Sequence, residues 1–261
     1  MEAKKSFTCN KSVSKTLEIL SLFAEGESML RTSDIAEKLG LNISTVSRHL
    51  NTLLDSGFLE RDGVTGLYYP GLRIITIAGV GMKSKGLYRH AYPELQQLSF
   101  SLRVLSHLAV PDDLEIVHLV CCCCEDKTEM LYPIGHRQPI YCTAMGKAML
   151  AFMPEEQAES ILKRCGKLRP FTPETQTNVK SIMESLKEIR KKGYCAQVNQ
   201  LHMGKGSIAA PIFDHSRNPV ASISISTQSH RLITPVDEEK FARTVTLVAS
   251  KISGKLGYYP L

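Results

Sequence analysis

Two stretches of the sequence bring together groups that can hold an acid. Pro139-Ile140-Tyr141-Cys142-Thr143-Ala144-Met145-Gly146-Lys147-Ala148 passes from extended to helical through small residues. The first turn of such a helix leaves backbone amides free across Thr143, Ala144, Met145 and Gly146, and free amides at a helix start receive a carboxylate or phosphate. In Ser222-Ile223-Ser224-Ile225-Ser226 the period of a strand sets the serine hydroxyls on one face and the isoleucines on the other. Alternation alone fits a solvated sheet face as well as a binding surface.

A third stretch has the make-up of a DNA-reading surface. Over Ser44 to Asp55 the apolar residues Val46, Leu50, Leu53 and Leu54 recur at helical spacing and commit one face to a core. The opposite face carries Ser44, Thr45, Ser47, Arg48, Asn51 and Thr52, side chains that can approach a groove floor and hydrogen-bond phosphates or base edges. A helix that was merely solvated would carry more Lys and Glu.

Other pairings of reactive residues lead to no chemistry. Cys142 with His136, and Ser224 with His230, supply a nucleophile and a base by type, but neither nucleophile-elbow glycines nor an orienting acid accompany them. Gly204-Lys205-Gly206-Ser207 lacks the upstream glycine and the Lys-Ser adjacency of a phosphate loop. Of the 8 cysteines, four are consecutive, Cys121 to Cys124. Neighbours on a strand point to opposite faces, so these four cannot ligate one metal. They read as reduced thiols filling an apolar strand, with oxidant sensing as the alternative. No catalytic residue, metal ligand or cofactor is expected.

These groups need elements to position them. After a polar tail, Met1 to Lys11, Ser12 is expected to cap a helix to Ala24 with Val13, Leu17, Leu20 and Phe23 inward. A short helix, Ser33 to Leu39, buries Ile35, Ala36 and Leu39 and stops at Gly40. The polar-faced helix follows, and then Phe58 to Arg61 and Leu67 to Tyr69 flank Asp62-Gly63-Val64-Thr65-Gly66 as a hairpin. Helix, glycine turn, polar-faced helix and hairpin together spell a winged helix-turn-helix. Pro70-Gly71 breaks the chain before a linker helix over 72–86, where Ala78 and Gly79 permit close helix packing across a dimer.

Beyond it the spacing predicts a helix from Tyr88 to Leu102 with Pro93 near its first turn and Leu95, Leu98 and Leu102 buried. Strands are expected at Val104 to Val110, Leu114 to Cys124, Glu129 to Pro133, Cys195 to Val198, Ser207 to Phe213 and Val220 to Thr227. Helices are expected at Ala144 to Phe152, Pro154 to Cys165, Val179 to Lys192 and Asp237 to Lys255. Antiparallel hairpins with helices between them make an α+β sandwich, one sheet covered by helices. The boundaries are then 1–73 for a DNA-binding domain and 74–261 for a second, effector-binding and oligomerisation domain.

With 261 residues, 43% of them apolar, the chain is long enough for two domains with cores of their own. No apolar run reaches the length of a membrane span and Met1-Glu2-Ala3-Lys4-Lys5 leads into no signal-peptide core, so no membrane partner and a cytoplasmic location are expected. The formal charge of +6 lies downstream of the reading unit, because residues 1–73 hold equal numbers of basic and acidic side chains. DNA affinity would therefore come from dimerisation and from base or shape readout rather than from a basic field.

Ala36-Glu37-Lys38-Leu39-Gly40-Leu41 leading into Ser44-Thr45-Val46-Ser47-Arg48 resembles the reading head of the IclR family of bacterial transcription regulators. Thr143 to Ala151, Gly193-Tyr194, Ile208-Ala209-Ala210-Pro211-Ile212 and Ser222 to Ser226 stand in the order of that family's second domain, so nearly the whole chain is covered. The resemblance implies a winged helix joined to a GAF-like effector domain, homodimers that often pair into homotetramers, and control by a small metabolite, commonly an organic acid. It also implies an effector pocket formed by Met130, Ala144, Met145, Gln197, Lys205, Ser207, Ser224 and Ser226. The chain departs from the pattern at several of these. Gln197 stands where relatives usually carry Asp, Asn199-Gln200 replaces an acidic pair, Ser207 a frequent Cys, and Lys205 an apolar residue. Gln197, the serines and the helix amides are all expected to donate to an acid group, which favours a small carboxylate such as a sugar acid or keto acid.

Overall fold

Asn10 rather than Ser12 starts α1 (Lys11–Leu22), its side-chain oxygen accepting from the amides of Ser12 at 3.0 Å and Val13 at 3.4 Å. The computed structural model describes residues 10–24, 28–84, 86–123, 132–232 and 234–259. Most of the expected polar tail, Cys9, Cys124, Met130 and the first part of the strand expected at Glu129 to Pro133 lie outside them. Helix α1 carries two apolar stripes, and the one that packs is Ile19 and Leu22 with Leu20 and Phe23. Val13 and Leu17, expected inside, are 54% and 57% exposed. Burying them would turn away Thr16, whose hydroxyl meets His49 Nδ1 at 2.8 Å.

Helix α2 (Thr32–Leu39) stops at Gly40, which takes the left-handed φ of 62° that the turn requires. After Leu41 and Asn42 comes α3 (Ile43–Asp55), with Val46, Leu50 and Leu53 buried beside Ile35 and Ala36. Strands β1 (Leu59–Arg61) and β2 (Tyr68–Pro70) pair antiparallel, and Leu30 bridges to Tyr68. Gly71 lets the chain leave this hairpin, since a Cβ there would stand 2.5 Å from the Gly57 carbonyl oxygen. Helix α4 (Leu72–Ser84) follows. The chain divides into two compact units, 1–84 and 85–261, so α4 groups with the first unit rather than opening the second as the expected 73/74 boundary has it.

The second unit is built on one antiparallel sheet in the order β5-β4-β3-β8-β7-β6. Its strands are β3 (Leu105–Asp112), β4 (Glu115–Cys122), β5 (Arg137–Pro139), β6 (Cys195–Val198), β7 (Lys205–Phe213) and β8 (Pro219–Gln228). The strand that pairs with β4 is thus Arg137–Pro139, and Tyr132 and Pro133 are not in a strand. Helices α5 (Gly86–Leu102) and α9 (Pro235–Lys255) pack on one sheet face against Leu108, Val120, Ile208, Ile223 and Ile225. Helices α6 (Ala144–Leu150), α7 (Glu155–Arg164) and α8 (Val179–Lys192) pack on the other with Ala109, Ile116 and Ala209. Because α5 begins at Gly86, Pro93 lies inside it, where the Arg89 carbonyl loses its helical donor. Two layers of helices over one antiparallel sheet realise the α+β sandwich, and both faces of β8 are buried, so its serines form no solvated surface.

Candidate functional site

On α3 the buried stripe leaves the polar face outward. Ser44, Arg48, Asn51 and Thr52 are exposed, while Thr45 and Ser47 are half-buried. The Thr52 hydroxyl donates to the Arg48 carbonyl at 3.0 Å, which occupies it within the helix. At the hairpin tip Asp62 accepts from the Val64 amide at 3.2 Å and from the amide and hydroxyl of Thr65 at 2.6 Å each. Those bonds hold the tip in one shape and lift Val64 to 95% exposure. Sequence reasoning identified this hairpin but assigned no contact to its tip.

The second candidate is a cavity of about 40 Å³ on the sheet face covered by α6. Thr143, Ala144, Met145, Gln197, Lys205, Ser207, Ser224 and Ser226 from the expected set all line it. Gly146 does not. A Cβ on Gly146 would stand 2.0 Å from the Ile140 carbonyl oxygen, so this glycine serves the close approach of α6 to the strand end. Its amide is also taken, by the Thr143 hydroxyl at 3.1 Å, which removes one of the expected free donors. Met130 falls outside the described residues.

Gln197 faces the cavity with the opposite polarity to that expected. Its amide nitrogen donates to the Cys142 carbonyl at 3.0 Å, so the cavity receives Oε1, an acceptor. The Ser207 and Ser226 hydroxyls pair with each other at 3.1 Å, and with the Gln228 amide turned to the orientation its neighbours require, its oxygen accepts from Lys205 at 3.1 Å. Ser224 Oγ has no hydrogen-bond partner among the described residues.

Sequence reasoning missed the far wall: His107, His118, Tyr132, Gln138, Gln200 and His202. His107 lies between Ser106 and Leu108 in a buried stretch of β3, a setting indistinguishable in sequence from a packed core histidine. His118 joins it because of a bulge. Partners run His107–Cys121, Leu108–Val120, then Ala109–His118, and the extra residue on β4 turns His118 to the face that His107 occupies. The rings stand 5.5 Å apart edge to face, with Tyr132 tilted against both. His118 Nε2 pairs with Gln138 Oε1 at 3.0 Å, and the Tyr132 hydroxyl with His202 Nε2 at 2.9 Å.

Burial, then the neighbouring His118, lowers the pKa of His107 to about 3. Burial lowers His118 to about 4 against the opposing pull of Gln138, with His136 adding to the shift. Both rings are therefore neutral at physiological pH. No Asp or Glu is found among the described residues lining the cavity. Both ring nitrogens of His107, Nδ1 of His118, Oε1 of Gln197 and Oγ of Ser224 are the buried side-chain polar atoms without a partner among the described residues, and all of them belong to residues that line this one cavity. Buried polar atoms are normally paired, so such a set marks a place for a ligand or ordered water.

Nucleophilic chemistry has no support here. Burial pushes the Cys142 thiol up to about 12 and Cys122 up to about 11, where neither is a thiolate at neutral pH. Cys121 and Cys122 take opposite sides of β4 and Cys123 is exposed. No group of three or more metal-ligating side chains is found among the described residues, and no described helix is long and apolar enough to cross a membrane.

Comparison with known proteins agrees across both units. The profile described as the bacterial transcriptional regulator IclR C-terminal domain matches residues 81–254, and the IclR helix-turn-helix domain matches residues 12–63. The Escherichia coli K12 transcriptional repressor IclR is 30% identical over 93% of this chain and 88% of its own length. The HTH-type transcriptional regulator XynR of the same organism is 27% identical over 95% and 97%. The crystal structure of the Thermotoga maritima IclR superposes with a TM-score of 0.74 at 30% identity, covering 95% of this chain and 99% of that one.

Proposed function

The chain belongs to the IclR family of bacterial transcriptional regulators, and from that premise we propose that it controls a catabolic operon in the cytoplasm in response to a small organic acid. Ser44, Thr45, Ser47, Arg48, Asn51 and Thr52 face the operator, and the acid enters the cavity walled by Gln197, Ser207, Ser224 and Ser226. One observation carries the effector half of this reading: the unpartnered buried atoms belong to residues lining a single cavity, which Lys205 also lines and no described carboxylate does. A degenerate pocket that binds no effector would have to satisfy those atoms with ordered water alone.

Self-association belongs to the same reading. Helix α4 leaves Leu72, Ile75, Ile77 and Val80 more than half exposed, and α1 leaves Val13 and Leu17 so. Apolar helix faces of this extent are covered in a working protein, and a second copy of the chain supplies a matching surface by two-fold symmetry. Two reading units per dimer also double the DNA contacts of a reader that carries no net charge.

The test is a thermal-shift screen of organic acids followed by calorimetric titration of Ser224→Ala and Lys205→Ala. An acid that raises the melting temperature and binds both variants more weakly is the expected result. Selective binding of neutral or cationic compounds, or acid affinity untouched by both substitutions, removes the proposal.

A further inference from the structure

The hydrogen-bonding polarity of the cavity wall narrows the ligand beyond its acid group. Gln197 is oriented by its bond to the Cys142 carbonyl, so its Oε1 can only accept. His118 places Nε2 against Gln138 Oε1, and an amide oxygen likewise only accepts. Nε2 therefore carries the ring hydrogen and Nδ1 presents a lone pair. A neutral His107 offers one donor and one further acceptor.

A carboxylate accepts and does not donate. It can serve the His107 N–H and the Ser224 hydroxyl, but it leaves Gln197 Oε1 and His118 Nδ1 bare and faces them with charge of the same sign as their lone pairs. A simple keto acid has the same defect, because its extra oxygen is also an acceptor. Hydroxyl groups mend it. Each supplies one donor to an orphan acceptor and can accept in turn from a serine. The cavity, about 40 Å³ in volume, is small and keeps the ligand short.

Resting on the effector reading, we propose that the ligand of this cavity is a three- or four-carbon polyhydroxy acid, and that Gln197 Oε1 and His118 Nδ1 select it by accepting from its hydroxyls.

Calorimetry on the full chain tests this with probes matched in length and charge: threonate against butanoate, glycerate against propanoate and pyruvate, and the neutral polyol erythritol. Threonate or glycerate is expected to bind at least tenfold more tightly than its unhydroxylated counterpart, with heats that do not depend on the ionisation enthalpy of the buffer. Gln197→Met is expected to shrink that gap to less than threefold. If Gln197→Met loses its thermal transition, His118→Leu is read in its place, and an unchanged gap in the folded variant overturns the proposal. Butanoate or pyruvate binding as tightly as threonate removes the hydroxyl selection and leaves an acid effector standing. Uptake of about one proton per ligand also overturns it, because a protonated histidine would then donate where the ligand is required to. Erythritol binding as well as threonate supports the hydroxyl selection while removing the acid reading. Failure of every probe to bind overturns both.

Discussion

The two units solve opposite problems with their polar side chains. In the reading unit the groups that would meet DNA stand outside α3, whose buried stripe of Val46, Leu50 and Leu53 holds no polar side chain. In the second unit the groups that would meet a ligand are inside, and His107, His118 and Ser224 are almost wholly enclosed. The first arrangement separates function from stability. The second joins them, since every buried group without a partner lowers the stability of the unliganded fold and a ligand that supplies the partners restores it. Substitutions should therefore act on one property in the reader and on two in the sensor.

The sharpest contrast is expected at Gly146. Gly146→Ala drives a Cβ into the Ile140 carbonyl, 2.0 Å away, so α6 must shift off the sheet that it covers. A loss of about 3 kcal/mol in urea unfolding is expected, with acid binding lost alongside. Ser44→Ala, on the reader's exposed face, should leave the unfolding midpoint where it is.

Arg48→Ala should weaken operator binding by roughly 1–3 kcal/mol in a gel-shift titration if the guanidinium reads a base edge. Its thermal midpoint and its calorimetric response to the effector should match the parent. A shared loss of stability would break the separation drawn between the units.

The histidine pair sharpens the comparison through pH. His107 titrates in the fold near 3, below the ordinary 6.5, so between those values the unfolded chain binds a proton that the folded chain refuses. Stability is intact above pH 6.5 and is lost as pH falls toward 3, with about 2 kcal/mol gone by pH 5 from this residue. His107→Leu should remove about that much of the difference in unfolding free energy between pH 7 and pH 5. A parent and variant with parallel pH profiles would show that His107 is solvated in solution.

What the sequence disclosed follows from the same contrast. The reading face was legible because helical periodicity sorts α3 into a buried and an exposed side, and Gly40 announces the turn before it. The cavity was half legible. Ser224 and Ser226 alternate with isoleucines, and the small residues of Thr143 to Gly146 mark a helix start. His107 and His118 were not legible, because their meeting depends on a bulge that shifts one strand by a residue, and no local pattern encodes that shift. Gln197 lines the cavity but has its amide nitrogen engaged and an acceptor left over, since its orientation is decided by the Cys142 carbonyl 55 positions earlier. On α1 the failure had another source: two apolar stripes competed, and the contact between Thr16 and His49 decided which one faces inward.

Lys147 allows the smallest and most discriminating test. It is 2% exposed, and its ammonium donates to Gln176 Oε1 at 2.7 Å and Gln200 Oε1 at 2.6 Å. Those two bonds take two of its three hydrogens and leave its charge unbalanced. Burial accordingly lowers its pKa, while the thiols of Cys195 and Cys142 pull the other way. Gln200→Glu would put a carboxylate on the shorter of the two bonds and make it charge-assisted, against the desolvation of a half-buried acid. A net gain of about 1 kcal/mol at pH 7 is expected, fading as the new carboxylate protonates in acid. Gln200 also lines the ligand cavity, so the same change sets a negative charge on its wall. Affinity for an acid probe should then fall while stability rises, an opposition that no substitution on α3 should produce. If stability and acid affinity rise together, the cavity does not hold an anion, and the joining of function to stability in this unit has another origin.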